Sequence, residues 1–235
     1  MAALPNDGKN LSITVEGITY DRIPIATHTV MPGDSVTDVV VKYATKQLIP
    51  GDVLFVTEKI VSICQGRSIE PSAITPRRLA HFLSRYVQKT PHGIGLGMPE
   101  TMEMALREVG TPRILIAAAV AAVTKTFGRK GDFYRIAGQG ARAIDGPTDG
   151  TLPPYNERIV LGPLKPGTVA ASIKKMFDLD IDVLVVDIND LGGNILGTTM
   201  PARENQRWIN VLADNPLGQG TESTPLGIIR RVTTS

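Results

Sequence analysis

Pro50-Gly51-Asp52-Val53-Leu54-Phe55-Val56-Thr57-Glu58-Lys59-Ile60-Val61-Ser62, closing on Gln65-Gly66-Arg67, is the stretch from which the chain is read. A Pro-Gly-Asp turn feeds an apolar run that reads as a buried strand, with Thr, Glu, Lys, Ser, Gln and Arg at its far end. Turn, strand and terminal polar cluster together are a common way to hold a polar ligand on a rigid scaffold. A core strand running into a solvated loop accounts for the same residues.

Outward from this stretch the chain alternates strand and helix signals. Leu11 to Val15 alternates as a strand does. Pro32-Gly33-Asp34 turns the chain, and Ser35 caps a helix with Asp38 placed as the acid of a capping box. Thr75-Pro76 opens a second helix, with Leu79, Phe82, Leu83 and Tyr86 or Val87 as its apolar stripe. A third begins near Pro99 and stops before Gly110. Ile159 to Leu161 is a short strand, and Pro166-Gly167-Thr168 opens a helix reaching Phe177. Val183 to Val186 is a continuous apolar strand ending at Asp187; a helix around Arg203–Leu212 and a strand from Leu226 to Arg230 follow. Residues 1 to 10 are polar and expected to fray. No linker divides the remainder, so residues 11–235 are expected to form a single domain.

Composition narrows the function classes. A net charge of +2 over 235 residues, with no basic run interleaved with aromatics, leaves no electrostatic footprint for nucleic acid. The lone cysteine, Cys64, rules out an intrachain disulfide and a thiolate metal cluster, which suits a reducing compartment. It reads as a small packing residue before it reads as a reactive thiol. The longest apolar run, Ile114 to Val123, has ten residues, about half a membrane span, and fits a strand or a short helix. No basic segment followed by an apolar core opens the chain, so a soluble cytoplasmic protein without a signal peptide is expected.

Two segments have the chemistry to meet anions. Pro91-His92-Gly93-Ile94-Gly95-Leu96-Gly97 runs into a helix start, where free backbone N–H groups can face a phosphate, although a flexible connection fits as well. Thr126 to Gly140 is basic and glycine-punctuated, and Arg129, Lys130 and Arg135 could meet phosphate or carboxylate; a solvated hairpin is the competing account. The three histidines, His28, His81 and His92, are scattered and offer no ligand spacing. A metal here would therefore be a hard cation held by oxygens. Asp145 with Asp149, Asp187 and Asp190 with Asn189, and Asp214 with Glu222 are the acidic loops available. Asp187 stands out because a carboxylate directly after four apolar residues is costly to bury unless paired or metal-bound.

The opening stretch resembles the first motif of the coenzyme F-420-0:L-glutamate ligase (gamma-glutamyl ligase) family, which reads P-G-D, a hydrophobic run, then S-K-A-E-G-R. Ser62, Gly66 and Arg67 match, while Ile63 and Gln65 replace the Lys and Glu, so the chain resembles a divergent member. Ala143-Ile144-Asp145 keeps part of the family's N-A-G-hydrophobic-D segment. Val160 to Pro166 is similar to its L-L-P-x-x-P-x segment, and Val185 to Asp190 stands where its D-T-x-G-R strand end belongs. The resemblance runs from roughly residue 20 to residue 200.

The resemblance implies an α+β fold of mixed sheets with flanking helices in two interlocked parts, and a homodimer. It implies a GTP- or ATP-dependent ligase that joins a deazaflavin acid, or a similar small acid, to L-glutamate through an acyl phosphate. Mn2+ or Mg2+ would be held by Asp145 and by Asp187 or Asp190. Arg129, Lys130 and Arg135 would bind nucleotide phosphate, and Ser62, Gln65 and Arg67 would line the acid's pocket. A ligase for a different acid, and a non-catalytic nucleotide or small-acid binding protein, remain the alternatives.

Overall fold

Val53, Leu54, Phe55 and Val56 are all buried, as a strand covered on both faces requires. In the computed structural model, which describes residues 4–87, 95–129, 131–148, 151–189, 192–218 and 223–232, that strand lies inside a six-stranded mixed sheet. In chain order the first elements are β1 (Ser12–Val15), β2 (Ile18–Ile25), α1 (Val36–Ala44), β3 (Val53–Thr57), α2 (Glu58–Cys64) and β4 (Ser68–Ile69). Then come α3 (Arg78–Ser84), α4 (Pro99–Glu108), α5 (Thr111–Thr126), α6 (Asp132–Ala137), α7 (Gln139–Arg142) and β5 (Ile159–Val160). The last are α8 (Pro166–Lys174), β6 (Asp182–Asn189), β7 (Gly192–Thr198), α9 (Asn205–Val211) and β8 (Leu226–Arg231). The fold is α+β.

The chain forms two compact units, residues 1–66 with 163–235, and residues 67–162. In the first, the strand order is β1-β2-β8-β3-β6-β7. The β3–β6 pair is parallel and the other pairs are antiparallel. Phe55, Leu184, Val186, Trp208, Val211, Leu212 and Ile229 pack one core of this unit. Glu16 and Gly17, both with positive φ, make the tight turn that joins β1 to β2. Gly197 lets β7 pass against the backbone of Pro166 and Gly167 at the start of α8, where a Cβ would collide. Ser35 accepts from the Asp38 amide, so the expected cap forms.

Asp52 completes the opening turn. Its carboxylate accepts the Ile49 amide at 2.9 Å and a two-point contact from Arg230, Nε at 2.8 Å and an Nη at 2.7 Å. The aspartate of the motif therefore ties the start of β3 to β8.

The second unit is largely helical, with β4 and β5 as a two-stranded antiparallel sheet. Leu96, Met102, Ala105, Leu106, Ile114, Ala117, Ile144 and Ile159 lie in its core.

Several expectations change. The opening strand stops at Thr57, and Glu58 to Cys64 turns helical, burying Ile60, Val61 and Ile63 on an α spacing. The Ile114–Val123 run takes the helical one of its two expected forms, within α5, with only Ile114 and Ala117 buried. The second helix begins at Arg78 and buries Ala80, Leu83 and Ser84, leaving Phe82 and Tyr86 exposed. The apolar strand ending at Asp187 instead continues to Asn189 and pairs with β7. Among the described residues no helix is long and apolar enough to cross a membrane.

Candidate functional site

The parallel pair β3–β6 ends with Thr57 opposite Val186. Beyond that pair β3 gives way to α2 at Glu58, while β6 continues through Asp187 to Asn189. In sheets with parallel strands the carboxyl ends are where ligands collect, because the strands deliver side chains there and a helix begins. Thr57, Glu58, Lys59, Asp187 and Asn189 are all partly exposed. Asp187 also stands opposite Asn194 of β7.

The rest of the opening motif is occupied within the fold. Ser62 is buried on α2, at 1 % exposure. The Gln65 side chain donates Nε2 to the Leu164 carbonyl at 2.9 Å and accepts the Leu164 amide on Oε1 at 2.7 Å. Arg67 donates Nε to the Gly162 carbonyl at 2.6 Å and pairs with Glu108. Each bond stays within one unit: Gln65 acts in the first and Arg67 in the second, one residue either side of Gly66.

Asp145, in the second unit, exchanges both backbone hydrogen bonds with Val160 at 2.9 Å, which leaves its side chain exposed. Thr148 closes the turn after it, its hydroxyl donating to the Gly146 carbonyl at 3.0 Å. Asp214, the remaining acidic candidate, pairs with the fully buried Arg22. Asp149, Asp190 and Glu222 lie outside the described residues, as do Lys130 and most of the 91–97 glycine-rich loop.

In the basic segment, Arg129 and Arg135 meet on one acid that sequence reading passed over. Asp132 has a side chain 6 % exposed, with Arg129 Nε 3.2 Å from Oδ2 and an Arg135 Nη 3.0 Å from Oδ1. The Thr124 hydroxyl, together with the two guanidiniums, holds the Asp132 carboxyl below the usual range against the opposing effect of burial. Arg135 lies one helical turn after it on α6, and Arg129 reaches it from the connection before the helix.

A divalent cation suits this donor chemistry. Carboxylates and carbonyls favour Mg2+ or Mn2+, which commonly take one or two protein carboxylates and complete their shell with phosphate oxygens and water. Among the described residues no three His, Cys, Asp or Glu side chains gather as a metal cluster.

The model of the family described as F420-0:Gamma-glutamyl ligase matches residues 24–202. Among curated proteins none matches the chain.

Proposed function

The chain belongs to the F420-0:gamma-glutamyl ligase family, and from that premise we propose that it joins a small carboxylic acid to the amine of an amino acid. The acid is the deazaflavin coenzyme F-420-0 or a close analogue, and the amino acid is L-glutamate. GTP or ATP drives the reaction: its terminal phosphoryl group passes to the acid's carboxylate, and the amine then displaces phosphate. Acid, amine and triphosphate become amide, diphosphate and inorganic phosphate.

The observation that carries this proposal is Asp187, which directly follows the last β3–β6 pair, Thr57 with Val186, at the end of β3 where α2 begins, inside the matched span. Asp187 or Asp190 in the first unit and Asp145 in the second are the carboxylates that would hold divalent ions. A bound Mg2+ or Mn2+ would supply positive charge opposite the phosphate oxygens. Arg129, Lys130 and Arg135 would bind the nucleotide phosphates through charge-assisted hydrogen bonds. Ser62, Gln65 and Arg67 would shape the acid's surroundings from behind, since the last two side chains are engaged with backbone.

Those engagements favour a second reading, a ligase of the same family for a different acid. With Ile63 and Gln65 in place of the family's Lys and Glu, the motif keeps its net charge but lacks the lysine that could pair with an anionic acceptor. The homodimer has a candidate surface in α5, where Leu115, Ile116 and Val123 are 43, 58 and 59 % exposed with no charge between them. Sedimentation of Ile116→Glu beside the wild type tests it: the variant should be monomeric. The lone Cys64 supports a cytoplasmic setting.

Calorimetry with GTP and with ATP, with and without Mn2+, tests the nucleotide chemistry on the wild type, Asp145→Asn and Asp187→Asn. Metal-dependent binding lost in both variants is expected. Turnover assays with coenzyme F-420-0 and L-glutamate then separate the two acids. Absence of nucleotide binding under every condition would leave a non-catalytic binding protein as the better account.

A further inference from the structure

Asp132 is buried, and two arginines share it. Glu103 is shared by two arginines as well, but there Arg77 and Arg107 donate three hydrogen bonds to the carboxylate through their Nε atoms, whereas at Asp132, among the described residues, a single guanidinium hydrogen bond, from Arg129, is made. Neither Arg129 nor Arg135 is there for its own burial, because their side chains are 59 and 64 % exposed. Two positive charges over one negative leave a surplus of one at the surface. The guanidiniums also keep donors to spare. Each carries five N–H groups, and among the described residues Arg129 gives Asp132 one Nη hydrogen bond, with its Nε in ion-pair contact.

A second observation lies on the same helix. Tyr134 stands between Phe133 and Arg135 on α6, and its hydroxyl sits 3.1 Å from the position a Cβ on Gly95 would take. The Leu96 backbone hydrogen-bonds that hydroxyl, while burial pushes its pKa up. The described end of the glycine-rich segment therefore lies against α6, with no Cβ at Gly95 to stand between them.

We propose that Asp132 is a positioning residue that aims Arg129 and Arg135, as a two-guanidinium fork, at a phosphate group of the nucleotide. The proposal rests on the nucleotide-dependent reading above and adds to it the residue that sets the fork's geometry. Fixed spacing of two planar guanidiniums suits the several oxygens of a phosphate better than two free arginines would, because less side-chain freedom is lost on binding.

Inorganic tripolyphosphate is the probe, since it carries the phosphates without base or sugar. Its binding is measured by calorimetry without added metal, beside GTP, for the wild type, Asp132→Asn, Asp132→Glu and Arg135→Lys. Melting temperature is recorded for each. The expected result is tripolyphosphate binding in the wild type, weakened about tenfold or more in Asp132→Asn and Arg135→Lys, and partly restored in Asp132→Glu. Arg135→Lys keeps the charge at an exposed position and so tests the fork in a chain whose folding is not at risk. Unchanged affinity in Arg135→Lys would overturn the fork. A lower melting temperature with unchanged affinity in Asp132→Asn would overturn the positioning role. GTP binding without tripolyphosphate binding in the wild type would overturn the fork and leave the nucleotide reading standing. Binding of neither would overturn both.

Discussion

The side-chain amide of Gln65 closes two hydrogen bonds on the backbone of Leu164, giving its N–H to the carbonyl and taking the amide N–H on its oxygen. An amide does this and a carboxylate does not, because the contact to the carbonyl needs a donor. Glutamate at this position, as in the family motif, would turn an oxygen toward the Leu164 carbonyl. Gln65→Glu and Gln65→Ala should each lower stability by about 1 kcal/mol, from hydrogen bonds lost at a partly solvated site. Urea unfolding measures this. A Gln65→Glu protein as stable as the wild type would show that the clamp contributes nothing.

Asp52 and Arg230 make the corresponding test for the opening turn. Asp52 is 2 % exposed and takes two guanidinium nitrogens and one backbone amide. Asp52→Ala leaves the arginine facing a buried gap where β8 meets the start of β3. About 3 kcal/mol of stability should be lost, the scale for breaking a buried ion pair from one side. Thermal and urea unfolding of Asp52→Ala check it; a loss under about 1 kcal/mol would place this pair with ordinary surface bridges.

Where side-chain pattern and local propensity agreed, the fold could be read from the chain. β3 and β6 are uninterrupted apolar runs, and the Ser35 cap and its helix follow from four adjacent residues. β2 was hidden because Arg22 and Pro24 break its pattern. Arg22 is tolerated by donating to the carbonyls of Asn10 and Val211 and by pairing with Asp214. Pro24 lies beyond the residues of β2 that pair with β1, where it removes no bond to that strand. β7 opens on Gly192, Gly193 and Asn194, which carry no strand signal of their own. In the candidate site, Asp187 stood out as a carboxylate after an apolar run, yet it is partly exposed because β6 continues past it to Asn189. The engagements of Gln65 and Arg67 were not legible, since their partners lie 99 and 95 residues away. Asp132 was missed for another reason: attention to the basic residues of its segment passed over the acid between them.

Cys64 should be a poor nucleophile. Burial, helped by the negative charge of Asp34, pushes its thiol up to about 11 from an ordinary value of 9.0. At pH 8 the thiolate fraction falls about a hundredfold relative to an unperturbed thiol, and alkylation slows with it. Iodoacetamide labelling of the native and the urea-unfolded protein measures the ratio. Equal rates in the two states would mean that the thiol is neither buried nor shifted.

Glu103 should govern how the second unit responds to acid. It is 1 % exposed and accepts the Arg77 amide at 3.1 Å, Arg77 Nε at 3.0 and 3.1 Å, and Arg107 Nε at 2.9 Å. Burial raises its pKa, but the hydrogen bonds from Arg77 and Arg107 outweigh that and hold the carboxyl below its ordinary 4.5. A depressed carboxyl binds its proton more readily in the unfolded chain than in the folded one. Its stabilising contribution is therefore complete above the ordinary value and is lost as pH falls through the lowered folded value. Glu103→Gln cannot ionise, so it should be less stable at neutral pH by about 2 kcal/mol, the scale of a hydrogen bond to a charged group. It should also lose less stability than the wild type as pH drops from 5 to 3. Urea midpoints of both proteins across that range test the point, and parallel curves would mean that some other carboxylate carries the acid sensitivity.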